Sequence, residues 1–216
     1  MHRKEVKAMT ANEMILQRFG ADEPIFVEDI ITMFPNRSRQ WVDKVLKTLV
    51  DSKMLKRYTT GIYYIPRKTL FGDSLLESNK IVVKKYIESN GNVYGYASGT
   101  ALLNSLGLTT QVPNMITVVT NNEKSRGRKV KIGAQEVYII KSPTEITTDN
   151  FAILKLLEAV KLIDLNDLDE TEFNNLKKYV QNNNITLDDI SKYCVFFPDA
   201  VSKKILGGKL IGILTQ

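Results

Sequence analysis

Apolar residues recur at helical spacing through the first third of the chain, and then give way to two short β-prone runs. Residues 5–19 place Val6, Met9, Met14, Ile15, Leu16 and Phe19 on a helical pattern that Gly20 ends. "DEPIF" extends the chain, and "VEDIITMF" gathers Val27, Ile30, Ile31 and Phe34 on one face of a short helix stopped by Pro35. A third helix is predicted from about Ser38 to Ser52, with Asn36 or Ser38 as its N-cap. Val42, Val45, Leu46 and Leu49 form its buried stripe, with Gln40, Lys44, Lys47 and Asp51 roughly opposite. "MLKRY" and "IYYIP" then flank "TTG", where Gly61 supplies the positive φ of a hairpin loop. Helix, helix, helix, hairpin is the order of a winged helix-turn-helix, and it predicts such a domain over residues 1–70.

After "PRKTLFGDS" the pattern changes. Residues 74–89 read as a helix, with Leu75, Leu76, Ile81, Val82, Val83, Tyr86 and Ile87 apolar. "NGNVYGYASGTALLNSLGL" reads as a turn, a short strand and a helix over 99–106 capped by Ser98 and ended by Gly107. "MITVVT" and "EVYII" are strong strand runs, and "KVKI" in the segment joining them is a weaker one. Helical spacing returns at about 149–164, 169–182, 186–194 and 198–206, and "GILTQ" reads as a last strand or a docked tail. Strands gather in the first half of this region and helices in the second. The fold class is therefore α+β, an N-terminal winged helix-turn-helix followed by a mixed α+β domain over residues 73–216.

Charge sharpens this picture. The chain carries a net +6, a modest hint of a polyanionic partner, but residues 36–68 hold nine basic side chains against Asp43 and Asp51. A helix that packs one face on a small core and lies against a duplex needs cations and amides on its other face. Its first turn reaches base edges, so Arg37, Ser38, Arg39, Gln40 and Lys44 are the candidate reading residues. Lys47, Lys56 and Arg57 are candidates to hold phosphates. A second basic run, "NNEKSRGRKVK", sets Lys124, Arg126, Arg128, Lys129 and Lys131 against the single acid Glu123. In an exposed, flexible hairpin connection it would serve as a phosphate clamp, or simply as a solubilising surface.

Other chemistries lack their parts. His2 is the only histidine and Cys194 the only cysteine, which excludes a disulfide, the common zinc sites and Ser-His or Cys-His catalysis. The apolar setting of Cys194, "KYCVFFP", points to an inert buried thiol. The acidic stretch "DLNDLDETE" lacks EF-hand spacing and reads as a connector and the negative first turn of a helix. "GYASGTA" lacks both the Gly-Lys-Ser/Thr of a phosphate loop and the G-x-G-x-x-G spacing. No segment approaches the roughly 20 apolar residues of a membrane span, and a cytoplasmic protein is expected.

Three blocks, "KMLKRYTTGIYYIPRKTLFG", "GYASGTALLNSLGLTTQVP" and "TVVTNNEKSRGRKVKIG", together resemble the AbiEi-type antitoxin family of bacterial transcriptional regulators. The resemblance covers the winged helix, the domain joint and the β-rich half of the second domain, and stops before the helices that follow Asp149. It implies a repressor that binds inverted repeats in its own promoter and is paired with a nucleotidyltransferase-like toxin. It also implies that the C-terminal domain supplies antitoxicity. The expectation is thus a non-enzymatic, cofactor-free repressor and antitoxin whose partner is double-stranded DNA. A winged helix that docks a protein partner, or a stand-alone regulator from a mobile element, are the alternatives.

Overall fold

A computed structural model of the protein describes residues 9–207 and 210–214. The architecture is mixed α+β and divides into two compact units, Met1–Ile81 and Val82–Gln216.

In the first unit, α1 (Ala11–Arg18) begins later than the apolar pattern predicts, because Thr10 and Glu13 form a capping box. The Thr10 N–H donates to the Glu13 carboxylate at 2.7 Å, and the Thr10 hydroxyl accepts from the Glu13 N–H at 3.3 Å. Val6 and His2 lie outside the described residues. The "DEPIF" extension supplies β1 (Ile25–Phe26), followed by α2 (Val27–Met33), whose C-cap Phe34 precedes Pro35. α3 (Arg39–Asp51) is capped by Ser38 rather than Asn36, its hydroxyl accepting from the Trp41 N–H at 3.2 Å. β2 (Lys56–Thr59) and β3 (Ile62–Tyr64) form the predicted hairpin, with Gly61 at φ 78°. β1 pairs with the other side of β3, giving the order β1-β3-β2. Ile15, Ile25, Val27, Ile30, Val42, Leu46, Leu49 and Leu55 close the core, with Val45 partly buried against it.

Where the sequence predicts only a change of composition, the chain makes a second small hairpin, β4 (Lys68–Thr69) and β5 (Gly72–Asp73). Asp22, buried and at φ 59°, ties this segment to the unit. Its carboxylate accepts from the Arg67 guanidinium and the Ser74 hydroxyl, and its carbonyl accepts from Lys80 Nζ at 3.0 Å. α4 (Ser78–Tyr86) is shorter than the predicted helix over 74–89: Ser74 closes the base of the hairpin, Leu75 stands exposed ahead of the helix, and Glu88 and Ser89 belong to the next strand.

The second unit opens with a short hairpin, β6 (Glu88–Ser89) and β7 (Asn92–Val93), then β8 (Gly95–Ser98) and α5 (Gly99–Ser105). β9 (Ile116–Thr120), β10 (Arg128–Ile132) and β11 (Gln135–Lys141) complete a four-stranded sheet in the order β10-β11-β9-β8. β9 and β11 are parallel, so "NNEKSRG" is not the connection of a hairpin between adjacent strands. The chain instead passes to the far edge as β10 and returns as β11 between the two. Burial explains the order: Val137 and Ile139 take the interior, while β10, with Lys129 and Lys131 exposed, takes an edge that charge protects. Val118, Val137 and Ile139 pack with Val82 and Tyr86, whereas Tyr96 and Val119 belong to a larger helical core. Its central helix is α6 (Phe151–Leu162), apolar almost all round and buried from Ile153 to Val160 except for Lys155.

α7 (Glu170–Asn182), α8 (Leu187–Cys194) and α9 (Asp199–Gly207) follow close to the predicted spans. The acidic stretch is resolved locally, Asp169 and Glu172 forming the capping box of α7 at 2.8 and 3.1 Å. Cys194 is a free, buried thiol. Of the two readings of "GILTQ", the strand is replaced by a helical turn, α10 (Ile211–Leu214), and the docked tail agrees with Leu210 and Leu214 packed on the helical core. Residues 215–216 lie outside the description. Among the described residues no helix is long and apolar enough to cross a membrane.

Candidate nucleic-acid interface

The exposed face of α3 consists of two ridges at i, i+4 spacing, and they differ in charge. Arg39, Asp43, Lys47 and Asp51 alternate in sign, and Arg39 Nε meets Asp43 Oδ1 at 3.2 Å. Gln40, Lys44 and Thr48 form a neighbouring ridge with no carboxylate, and the Thr48 hydroxyl donates to the Lys44 carbonyl at 3.0 Å. Lys44 and Lys47 are exposed and make no ion pair among the described residues.

Arg37 precedes the Ser38 cap. Its N–H donates to the Phe34 carbonyl at 3.0 Å, and its guanidinium lies 5.2 Å from the centroid of the Trp41 ring. Trp41 in turn meets Phe34 edge-on, with centroids 5.2 Å apart and planes at 68°. The aromatic pair gives the Arg37 guanidinium a flat support at the N-terminal end of α3. The Ser38 hydroxyl is committed to the cap, so of the residues at this end Arg37 and Gln40 present free polar groups.

On β2 the two cations have different surroundings. Lys56 Nζ sits 3.1 Å from Asp73 Oδ2, while Lys68 Nζ takes Oδ1 of the same carboxylate at 2.5 Å. These two lysines, Lys68 more than Lys56, hold the Asp73 carboxyl below its usual range. Arg57 is exposed and donates to Thr60 Oγ1 at 3.1 Å, which folds it over the hairpin turn. Lys56 is thus engaged internally, and Arg57 is the outward cation of this strand.

In the second unit the basic run is ordered around its one acid. The buried Glu123 carboxylate accepts from the Lys124 and Ser125 N–H groups at 2.9 Å, the Ser125 hydroxyl at 2.8 Å and Arg128 Nε at 2.5 Å. The Ser125 donors first, then Arg128 and the Lys124 amide, pull its pKa down to about 2. The predicted flexible clamp is therefore a built loop, with Arg128 committed to Glu123 and Lys124, Arg126, Lys129 and Lys131 left exposed. In the sequence the signal of this centre is a lone acid among five cations.

Ser98 occupies the N-cap position of α5 but makes no cap bond. Its hydroxyl donates instead to Glu158 Oε1 at 2.5 Å, and Lys161 Nζ meets Oε2 at 2.6 Å. Burial, and secondarily the Glu158 charge, push the neighbouring Tyr96 hydroxyl far above its ordinary value.

The architecture and these surfaces define a two-unit α+β protein with a basic helical face on its first unit and a basic, ordered loop on its second. The chain belongs to DUF6088, a family of unknown function, whose model matches residues 13–187. No curated protein matches the chain.

Proposed function

We propose that the first unit is a winged helix-turn-helix that binds duplex DNA through α3, and that the protein is a transcriptional repressor acting in the cytoplasm. The observation that carries this reading is the acid-free ridge Gln40–Lys44–Thr48, continued by Arg37 on its Trp41 support. An amide and forked guanidinium groups at the start of a helix suit base edges, and the cations along it suit phosphates. Arg57 on the adjacent hairpin would meet a flanking phosphate, as would Lys124, Arg126 and Lys129 if the second unit also touches the duplex. The reading requires no cofactor and no catalytic step.

Fluorescence anisotropy on a duplex from the protein's own upstream region, titrated with salt, tests it. Log affinity should fall against log salt with a slope of about −0.9 per phosphate neutralised. Absence of salt-sensitive binding would reject the proposal. The likeness to AbiEi-type antitoxins supports a wider reading, in which the second unit neutralises a nucleotidyltransferase-like toxin encoded beside this chain. Growth rescue from such a neighbouring toxin by the full chain tests that part, and unrelieved toxicity would remove it.

A further inference from the structure

The β4–β5 hairpin carries Leu70 and Phe71 at its tip, and their relative exposures are 99% and 102%. They are the two most exposed large apolar side chains among the described residues. Scattered apolar residues on a surface are ordinary, but an adjacent pair fully bared at a turn is not. The centre of a tight turn normally holds Gly, Asn, Asp or Pro; here it holds leucine and phenylalanine.

The tip is also rigid. Thr69 Oγ1 donates to the Gly72 carbonyl at 2.7 Å and accepts from the Phe71 N–H at 3.3 Å. Gly72 takes φ 109°, a conformation that returns the chain into the second strand and that a side chain would strain. The base is bolted to the first unit: Ser74 and Arg67 exchange bonds at 2.8 and 2.9 Å, and the Tyr64 hydroxyl donates to the Ser74 carbonyl at 3.1 Å. Asp73 joins the hairpin to Lys56 of β2 at 3.1 Å. Two apolar prongs are therefore held out from a fixed base, with the backbone ordering cost already met in the free protein.

We propose that Leu70 and Phe71 form a wedge that inserts between base pairs of duplex DNA, opening one step as the first unit binds. This rests on the DNA-binding reading above. The occupant follows from what surrounds the tip. Arg67 and Lys68 at its base are paired with Asp22 and Asp73 yet keep 69% and 74% of their side chains exposed, so phosphates flanking an opened step can compete for their outer faces. The hairpin belongs to the same compact unit as the basic face of α3. Leucine and phenylalanine are among the side chains that wedge between steps and kink a duplex, and unstacking is offset by the contacts that the bend allows.

The test uses the full chain and three parallel assays, the third being partitioning onto anionic vesicles. Anisotropy on a fluorescein-labelled 30-bp mixed-sequence duplex reads binding. Relaxation of a closed circular plasmid by a topoisomerase in the presence of the protein reads unwinding, because an inserted wedge changes the linking number. Wild type should bind the duplex and shift the plasmid's linking number. The double variant Leu70→Ser, Phe71→Ser should keep its thermal midpoint and bind within about tenfold, yet leave the linking number at its protein-free value. Phe71→Trp should retain the shift. Wild-type binding without a topological shift, or a double variant that shifts it as wild type does, overturns the wedge while the DNA-binding reading stands. Loss of the tip's partitioning onto anionic vesicles in that same variant would reassign the prongs to a lipid surface. Failure of wild type to bind any duplex overturns both.

Discussion

The Arg37 guanidinium rests 5.2 Å from the centroid of the Trp41 ring, so the cation just ahead of the α3 cap is supported by an aromatic plate. Such a contact at an exposed site contributes about 0.5–1 kcal/mol, and the edge-on Phe34 pairing adds a similar amount. Trp41→Leu should therefore lower stability by about 1 kcal/mol and weaken DNA binding about two- to fivefold by freeing Arg37. Arg37→Ala in the Trp41→Leu background should cost less than in wild type. Equal costs in both backgrounds would mean that the ring does not position the cation.

Asp43 restrains Arg39 and places negative charge on the proposed DNA face. The pair is exposed, so Asp43→Asn should change unfolding stability by less than about 0.5 kcal/mol. The same change should tighten binding to duplex DNA, because it removes a like charge and releases a forked donor. Lys44→Ala should act in the opposite direction, making the salt slope shallower by about 0.9. Anisotropy titrations of both variants decide the matter, and unchanged affinity in each would move the interface away from α3.

Glu123 predicts a pH response confined to one loop. Its folded pKa, about 2, lies below its ordinary value of 4.5. The carboxylate therefore contributes its stabilisation above about pH 4.5 and loses it as pH falls from there toward 2. The amide resonance of Ser125 should titrate with a midpoint near 2. At neutral pH, Glu123→Ala should expose the bonds after Lys124, Arg126 and Arg128 to trypsin faster than in wild type. A Ser125 midpoint at the ordinary carboxylate value would refute the arrangement.

Gly95 is fixed by close approach. A Cβ there would stand 1.9 Å from the Tyr86 carbonyl oxygen and 2.9 Å from that of Val119, and both are backbone atoms that cannot swing away. Gly95→Ala should destabilise the second unit by about 3 kcal/mol, because β8 must shift off β9 to admit the methyl group. Urea unfolding followed by tyrosine fluorescence measures it, and a loss below about 1 kcal/mol would be inconsistent with the packing.

The sequence was most legible where one buried face set the pattern. Val42, Leu46 and Leu49 with the Ser38 cap specify α3, and the strand runs of the second unit appear where expected. Strand order was not legible, because "MITVVT" and "EVYII" pair in parallel across a connection whose route alternation does not encode. The β4–β5 hairpin escaped for a different reason: hydrophobic patterning assumes that apolar residues point inward, and Leu70 and Phe71 point outward. Ser98 has the right residue and position for a cap, yet a carboxylate sixty residues later takes its hydroxyl. Of the candidate interface, α3 carries Arg39, Gln40, Lys44 and Lys47 as the spacing implies, and Arg37 lies just ahead of its cap. The Arg39–Asp43 pair follows from i, i+4 spacing, but the engagement of Lys56 and Arg128 by Asp73 and Glu123 depends on side-chain reach that a linear pattern does not carry.

Asp22 has partners 45, 52 and 58 residues further along the chain, at Arg67, Ser74 and Lys80. During synthesis at about 5–20 residues per second, roughly 3–12 s separate the making of Asp22 from that of Lys80. Until Arg67 and Ser74 are made the carboxylate must stay hydrated, and until Lys80 is made the Asp22 carbonyl lacks its donor, so the turn around them cannot be sealed while the nascent chain ends inside β3. The last side chain to reach it acts as a completion mark: the N-terminal unit locks only after the β4–β5 hairpin and the start of α4 have left the ribosome.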